Sequence, residues 1–194
     1  MFFHLYVILD VFSRYVVKWH VAEIESAEIA EKLFRDAIAE HDVDPEALGV
    51  HADNGPIQRA IVIADCFGEL GITKTHSRPY VSNDNAYSES LFKTAKYQPV
   101  YPWQFDDIDD ARRWADGFFA FYNTDHYHSG IAMLTPASVY FGTADEIVER
   151  RQQTLDEAFA KQPDRFRRGR PLAKRPEPAW INKPTEEAQP SSIV

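Results

Sequence analysis

The chain of 194 residues is poor in cysteine, in basic charge and in long apolar runs, and each shortage excludes a class of protein. A single cysteine, Cys66, cannot build a disulfide framework or a multi-cysteine zinc site, and it is compatible with a reducing cytoplasm. No apolar stretch approaches the roughly 20 residues of a membrane helix, so we expect no membrane segment and a cytoplasmic location. The opening stretch MFFHLYVILDVF contains His4 and Asp10 and lacks a basic leader, which disfavours a signal peptide.

Acidic residues outnumber basic residues by 30 to 21, which gives a formal net charge of −9. An acidic average surface disfavours a general coat on nucleic acid, although it leaves room for a local basic patch. Hydrophobic residues make up 44% of the chain, which is enough to bury a core and excludes global disorder. The length allows one domain with extensions.

Hydrophobic periodicity predicts an alternating arrangement of strands and helices. Residues 4–10 and 14–22 are predicted strands with three residues between them, so we expect an antiparallel hairpin. The elements that follow are a helix at 25–41, strands at 48–52 and 72–76, and helices at 57–70, 85–97, 107–123 and 144–160. This order predicts an α/β fold with a mixed sheet flanked by helices. Ser82, Asn83 and Asp84 are expected to supply the cap of the helix at 85–97.

The composition changes beyond residue 130, and we predict a core at 1–142 followed by a C-terminal extension at 143–194. After its helix, the extension contains the run KQPDRFRRGRPLAKR at 161–175, with seven basic residues and one acidic residue. Four prolines and little apolar content follow, so this part of the chain reads as a basic, proline-rich tail or linker. The basic run is a candidate contact for a DNA backbone, and an ordinary solvated linker is the alternative.

Two carboxylates and two lysines are predicted at the ends of elements that meet at one edge of the sheet. Asp53 follows the strand at 48–52, and Glu89 lies one turn into the helix at 85–97. Lys93 and Lys96 follow Glu89 at i+4 and i+7, so all three share one helical face. Carboxylates beyond the carboxyl ends of strands suit a hard cation such as Mg²⁺. Taken singly, an Asp such as Asp53 before Asn-Gly is usually a turn former, and Glu89 followed by Lys93 is usually an ordinary surface ion pair.

The joint pattern resembles the integrase catalytic core of insertion-sequence DDE transposases, which are relatives of retroviral integrases. The matching stretches are LYVILDVFSRYVVKW, VHADNG, SRPYVSNDNAYSESLFKTAKY, FYNTDHYHSGIAMLTP and RFRRGRP followed by AWIN. The distance of thirty-five residues between Asp53 and Glu89, with Asn54-Gly55 after Asp53, is the most specific feature. The resemblance implies a ribonuclease H-like fold, which agrees with the predicted order of elements.

The resemblance implies Mg²⁺-dependent cleavage and transfer of DNA strands, with Mn²⁺ as a substitute metal and two ions in an intact relative. Asp53 and Glu89 match two of the three catalytic, metal-binding carboxylates. Basic residues are expected to contact DNA, namely Lys93, Lys96, Arg78, Arg167, Arg168 and Arg170. The implied partners are transposon ends, target DNA and other subunits, as a homo-oligomer or an oligomer with full-length transposase.

The first catalytic Asp of such cores lies on a strand that should precede LYVILD, so we expect it, and the first strand, before Met1. Asp10 matches the structural Asp of the hairpin better than it matches a metal ligand, because the FSRYVV context aligns it there. With two carboxylates the binding of two metal ions should weaken. Three hypotheses follow: an active transposase core, a non-catalytic fragment that binds DNA or transposase as an inhibitor, and a relic without function.

Histidines and tryptophans outside this pattern have less specific interpretations. His51 lies on the same side of its strand as Asp53, where it either supports the carboxylate or packs in the core. His126 and His128 do not share a helical face and have no cysteine pair, so a structural or DNA-contacting role is favoured over zinc binding. Trp103 is expected to pack in the core.

Overall fold

The computed structural model describes residues 2–53, 55, 60–78 and 82–181. They fall into two units. The hairpin unit contains Met1–Glu23 and Trp103–Pro178, and the parallel unit contains Ile24–Pro102 and Ala179–Val194. The predicted boundary after residue 142 rests on composition, and it stays a prediction.

The hairpin unit begins with two antiparallel strands, as the sequence predicts. Strand β1 (His4–Leu9) pairs with β2 (Val16–Ala22) from His4 opposite Ala22 to Leu9 opposite Val16. The turn between them is closed by a hydrogen bond of 2.8 Å from the Asp10 amide to the Tyr15 carbonyl. The two apolar runs thus form a hairpin whose register is constant from His4 to Ile8 and shifts by one residue between Ile8 and Leu9.

Helix α4 (Ile108–Thr124) packs on β2 and completes the pairing of its backbone. The Asn123 side chain accepts a hydrogen bond from the Val16 amide at 2.9 Å and donates one to the Val16 carbonyl at 3.0 Å. One side-chain amide therefore pairs with both backbone groups of a strand residue, as a neighbouring strand would. Trp19 stacks on Phe119 with ring centroids 5.4 Å apart. The buried face of α4 consists of Ala111, Ala115, Phe118, Phe119 and Tyr122.

Two further helices, α5 (Pro136–Tyr140) and α6 (Ala144–Lys161), follow a tight loop. Thr135 caps α5, and Pro136 occupies its first turn, where the missing amide proton costs nothing. Ala132 and Met133 both have positive φ angles, of 59° and 56°. Arg151 of α6 donates to their carbonyls at 2.8 and 2.6 Å, which holds this left-handed pair in place. A buried cluster lies beside the loop and contains Ile131, Leu134, Val139 and Val148.

The parallel unit contains a second pair of strands and three helices. These are α1 (Ala27–His41), β3 (Gly49–Ala52), α2 (Ile61–Leu70), β4 (Thr73–His76) and α3 (Ala86–Lys96). Strand β3 runs parallel to β4, from Gly49 opposite Thr73 to Ala52 opposite His76. Helices α1 and α2 meet through the edge-to-face rings of Phe34 and Phe67, whose centroids are 4.8 Å apart. An ion pair between Arg35 and Glu69 also joins them.

The order of elements agrees with the predicted α/β arrangement, and the helices flank small sheets. The four described strands form two separate two-stranded sheets, of which β1–β2 is antiparallel and β3–β4 is parallel. Residues 56–59, at the predicted start of α2, lie outside the described residues. In the part of the chain that is described, no helix is both long enough and apolar enough to cross a membrane.

Two local predictions are wrong. Asn85 directly precedes α3 and makes no capping side-chain hydrogen bond, and Asp84 does not cap the helix because its carboxylate binds Arg78. The side chains of Ser82 and Asn83 lie outside the described residues. Trp103 is not a core residue, because 85% of its surface is exposed.

Candidate active site

Asp53 directly follows β3 and is held by a local turn. Its Oδ1 accepts a hydrogen bond of 2.9 Å from the Gly55 amide, which is the geometry of an Asx turn. A Cβ on residue 55 would lie 3.0 Å from that oxygen, so the glycine allows the close approach. The carboxylate is exposed, and among the described residues it forms no ion pair. Asn54, which the resemblance places at this turn, lies outside the described residues.

Glu89 occupies the first turn of α3, where a negative charge is favoured by the helix dipole. The residue is exposed, and the opposite face of the helix buries Leu91 and Ala95. The spacing to Lys93 permits an ion pair, yet none forms among the residues that the structure describes. The carboxylate is therefore available to a ligand from solution.

Lys93 and Lys96 lie in the last turn of α3, and both are exposed. Within the described ranges neither ammonium group has an ion-pair partner. Cations at the carboxyl end of a helix are favoured by its dipole, which gives them a structural reason to be there. Their lack of partners also leaves them available to an anion such as a phosphate.

Arg78 precedes α3 and is bound by a buried carboxylate. Its Nε and Nη2 donate to the two oxygens of Asp84, both at 3.0 Å, and its backbone amide donates to Asp84 at 2.9 Å. Asp84 is only 2% exposed, whereas 60% of the Arg78 side chain is exposed. A DNA contact by Arg78 stays a prediction, and it would have to use the outer part of the guanidinium group.

The basic segment after α6 is not a free linker, because its second half is bound to the helix. Gln152 of α6 donates to the Pro171 carbonyl at 3.1 Å and accepts from the Ala173 amide at 2.8 Å. Arg170 forms two hydrogen bonds to Asp156, of 2.6 and 2.7 Å. The Arg170 guanidinium lowers the pKa of the Asp156 carboxyl. We call residues 163–175 the strap.

Arg167 and Arg168 lie between the helix and these anchors. Both are exposed, and neither has a side-chain partner among the described residues. Gly169, with a φ angle of 83°, turns the strap back towards α6 directly after them. The three predicted DNA-binding arginines of the strap therefore divide into Arg167 and Arg168, which have no side-chain partner among the described residues, and Arg170, whose charge is compensated by Asp156.

Asp10 is committed to the hairpin turn. Its Oδ2 accepts hydrogen bonds from the Ser13 amide at 2.7 Å and from the Ser13 hydroxyl at 2.5 Å. The Arg14 amide donates to the Asp10 carbonyl at 2.9 Å, so residues 10–15 form one closed turn. This geometry agrees with the structural role that the sequence favours for Asp10.

His126 and His128 are packed among aromatic rings. His126 stacks on Tyr122 with centroids 5.5 Å apart and meets His128 edge-on at 5.8 Å. The Nδ1 of His128 accepts a hydrogen bond of 3.0 Å from the Gly130 amide, which requires a ring without a proton on that nitrogen. Burial, followed by the nearby charges of Arg14 and His126, lowers the pKa of His128.

Asp53 and Glu89 have the right chemistry for a hard cation, because both are exposed carboxylates without ion pairs in the described residues. Together with Lys93 and Lys96 they lie in the parallel unit, whereas Arg167, Arg168 and Arg170 lie in the hairpin unit. Among the described residues no group of three or more His, Cys, Asp or Glu side chains could hold a metal. The two carboxylates thus fit a divalent cation in kind but not as a complete set of protein ligands.

Two polar residues that contact the predicted site residues or the strap are not indicated by the sequence pattern. His76, at the end of β4, lies with its Nδ1 3.1 Å from the Asp53 carbonyl. Gln152 holds the strap, and no local pattern indicates it. The ring nitrogens of His51, which the sequence places on the same side of its strand as Asp53, lie 3.0 and 3.2 Å from the hydroxyls of Thr75 and Ser77. The position of His76 at the end of a strand that is predicted to run beside the Asp53 turn is the feature of the sequence that could identify it.

Known proteins resemble this chain in sequence. Residues 70–136 match the family model described as "Integrase core domain". The transposase for insertion sequence element IS904 of Lactococcus lactis is 28% identical over 134 residues, which are 69% of this chain and 53% of that protein. The chain therefore spans about half the length of this curated relative.

Solved structures resemble it in fold. The catalytic core domain of BIV integrase is 25% identical with a TM-score of 0.54, and the match covers 73% of this chain and 87% of that one. A chain of the simian T-cell lymphotropic virus intasome, solved with the PP2A regulatory subunit B56 gamma, is 19% identical with a TM-score of 0.52. That match covers 70% of this chain and 47% of the other.

Proposed function

We propose that this chain is an integrase core of the type found in insertion-sequence DDE transposases, and that it acts in DNA transposition by cutting and joining DNA strands; the proposal is supported by the match of residues 70–136 to the integrase core model and by the similarity to a transposase and to an integrase catalytic core. Asp53 and Glu89 are the proposed catalytic and metal-binding carboxylates. The observation that carries the proposal is that both are exposed and unpaired within the described residues, although Glu89 has a lysine at ion-pairing distance in sequence. An acid with only a structural role gains by pairing.

A divalent cation, Mg²⁺ or Mn²⁺, would supply Lewis acidity for phosphoryl transfer when bound at these carboxylates. Asp53 offers Oδ2, because Oδ1 already accepts the Gly55 amide. Glu89 lies in the first turn of α3 with its side chain exposed, so its carboxylate is accessible to a cation from solution. The chain contributes no nucleophilic side chain to this proposal, and the attacking oxygen belongs to water or to a DNA 3′-hydroxyl.

DNA is the proposed partner, and two sets of cations would contact it. Lys93 and Lys96 extend along α3 from Glu89 on the same helical face, which suits a phosphate backbone that leads to the carboxylates. Arg167 and Arg168 form the second set, on the strap. Assembly into a homo-oligomer, or with a full-length transposase, is part of the same proposal.

A non-catalytic role in binding DNA or transposase is the second candidate function. It is favoured by the two hydrogen bonds that Ser13 donates to Oδ2 of Asp10, because they support a structural role for Asp10 in the hairpin turn rather than a role as the third carboxylate. Two carboxylates hold two divalent cations poorly, because four positive charges face two negative charges. This candidate predicts DNA binding that weakens with salt and is not followed by cleavage.

The test is nicking of a supercoiled plasmid in the presence of Mg²⁺ or Mn²⁺. We expect nicking by the parent chain, and its loss in Asp53→Asn and in Glu89→Gln. Glu157→Gln is the matched control, because Glu157 is exposed on α6 and loses the same charge outside the proposed site. Nicking that persists in Glu89→Gln would overturn the assigned site.

Filter binding of the same plasmid separates the remaining candidates. DNA binding by a parent chain that does not nick would support the second candidate. A parent chain that neither nicks nor binds DNA would contradict both candidates and leave the hypothesis of a relic.

A further inference from the structure

His76 reaches from the end of β4 to the residue that carries the candidate metal-binding carboxylate. Its Nδ1 lies 3.1 Å from the carbonyl oxygen of Asp53. A carbonyl oxygen can only accept, so Nδ1 carries the proton and donates it. This bond forms with the neutral Nδ1–H ring and with the charged ring alike.

The bond continues the pairing of β3 with β4 beyond the last residues of the strands. The final backbone bond between them runs from the Ser77 amide to the Ala52 carbonyl, at 3.0 Å. The next carbonyl along the chain belongs to Asp53, and it is the His76 side chain that occupies it. The peptide after Asp53 is thereby fixed by a group from the neighbouring strand.

Asp53 is consequently held at two points. His76 fixes its backbone carbonyl, and the Gly55 amide fixes Oδ1 of its side chain. Each bond supports the other, since a rotated peptide would move the Gly55 amide away from Oδ1. Only Oδ2 of the carboxylate is left outside this arrangement.

His76 pairs with Ala52 in the ladder, whereas His51 pairs with Thr75. Successive side chains point to opposite faces of a sheet, so His76 lies on the face opposite to His51. The contact of His76 with Asp53 is made to the main-chain carbonyl and not to the carboxylate. Its influence on the carboxylate passes through the backbone of Asp53.

We propose that His76 is a positioning residue that orients the Asp53 carboxylate by holding its main-chain carbonyl. The inference rests on the proposed function in one respect, namely that the oriented carboxylate binds a metal ion. The orientation itself is a property of the metal-free chain.

Two substitutions separate the hydrogen bond from the ring. In His76→Asn the side-chain amide nitrogen occupies the place of Nδ1, so the donor is kept. In His76→Phe the ring is kept and the donor is lost. His4→Phe is the matched control, because His4 is also an exposed strand histidine and lies on β1 in the hairpin unit.

The first readout is hydrogen exchange of the Gly55 amide by NMR without metal. We expect His76→Phe to accelerate exchange by about 3- to 10-fold, the factor that corresponds to one neutral hydrogen bond. His76→Asn and His4→Phe should stay within about twofold of the parent. Equal exchange in the two His76 variants would overturn the inference.

The second readout is the dissociation constant for Mn²⁺, measured by titration calorimetry. His76→Phe should weaken binding by about 3- to 10-fold and His76→Asn should restore it, while all three variants keep the parent's melting temperature within a few degrees. A parent chain that binds no Mn²⁺ contradicts the proposed function and leaves the exchange result to decide the role of His76. Mn²⁺ binding that is equal in the parent and in His76→Phe contradicts the inference alone.

Discussion

Lys93 and Lys96 stand exposed on α3 without ion pairs in the described residues, whereas Arg170 and Arg175 of the strap are bound by Asp156 and Asp145 of α6. Both regions are basic in sequence. The lysines lie in the last turn of α3, where the helix dipole favours a positive charge without a carboxylate partner. The arginines belong to an extended segment that is attached to α6 largely through these contacts and through Gln152.

The difference concerns what each charge can still do. An unpaired surface cation releases counterions when it meets a phosphate, and this release favours binding. A paired arginine must first break its ion pair with a carboxylate, so its contact with a phosphate contributes less to the free energy of DNA binding. Basic composition alone therefore overestimates the number of DNA contacts. The structure separates candidate contacts from anchors.

Arg78 offers a third arrangement, in which the carboxylate is buried, and removing that carboxylate should have the largest effect. Asp84→Asn is expected to lower the free energy of unfolding by about 2–3 kcal/mol, because a buried group loses charge-assisted hydrogen bonds. Urea unfolding measures the change. Asp65→Asn on α2, which is exposed, is the control and should change stability by less than about 0.5 kcal/mol.

Replacement of both α3 lysines tests the comparison directly. Lys93→Gln with Lys96→Gln should weaken DNA binding by roughly tenfold and reduce the salt slope by about 2, since about 0.9 is lost for each phosphate contact. Arg170→Gln with Arg175→Gln should change the slope by less than about 1. Fluorescence anisotropy between low and moderate salt gives both values. Equal slopes for the two double variants would show that pairing does not distinguish the regions.

Removal of the carboxylate that pairs with Arg170 should allow this arginine to contact DNA. Asp156→Asn is expected to strengthen DNA binding by about two- to threefold, because Arg170 then lacks its charged partner. Glu157→Gln removes the same charge from the neighbouring residue of α6 and leaves Arg170 paired, so it isolates the effect of net charge. The same anisotropy titration measures both. A weaker complex in Asp156→Asn would mean that the bound strap, rather than free Arg170, favours DNA.

The smallest predicted effect concerns His128, a group that its surroundings keep uncharged. Its pKa is lowered in the folded chain from the ordinary value of 6.5, so the unfolded chain binds the proton more readily. The contribution of neutral His128 to the free energy of unfolding should be fully present above pH 6.5, and it should be lost as the pH falls below that value. His128→Asn keeps an acceptor for the Gly130 amide and removes this titration.

Melting temperatures between pH 7 and pH 5 measure this slope. We expect a shallower but not a flat dependence in His128→Asn, because burial also lowers the pKa of His126. If the melting temperature of His128→Asn depended on pH as steeply as that of the parent, His128 would not be a source of the pH dependence.

The sequence predicts the parts of this fold that depend on local pattern. Runs of apolar and β-branched residues locate β1 and β2, and helical periodicity locates the helices. The common face of Glu89, Lys93 and Lys96 also follows from helical geometry. The metal and DNA roles of these residues stay predictions.

Contacts between distant residues are not written in local pattern. The cap assigned to Asp84 is wrong because Arg78, six residues earlier, takes the carboxylate. The strap reads as a linker because nothing in its composition indicates Gln152, which lies 19 and 21 residues from its two backbone partners. Side-chain amides that bind backbone, such as Gln152 and Asn123, become visible only in three dimensions.

The bonds between Asn123 and Val16 join residues 107 positions apart, and this separation has a consequence for synthesis of the protein. At about 5–20 residues per second, a ribosome needs roughly 5–20 s to make the chain between them. During that time β2 has been translated, but α4, which covers Trp19 and pairs with Val16, does not yet exist. The nascent hairpin therefore waits with its apolar face uncovered, while residues of the parallel unit emerge behind it.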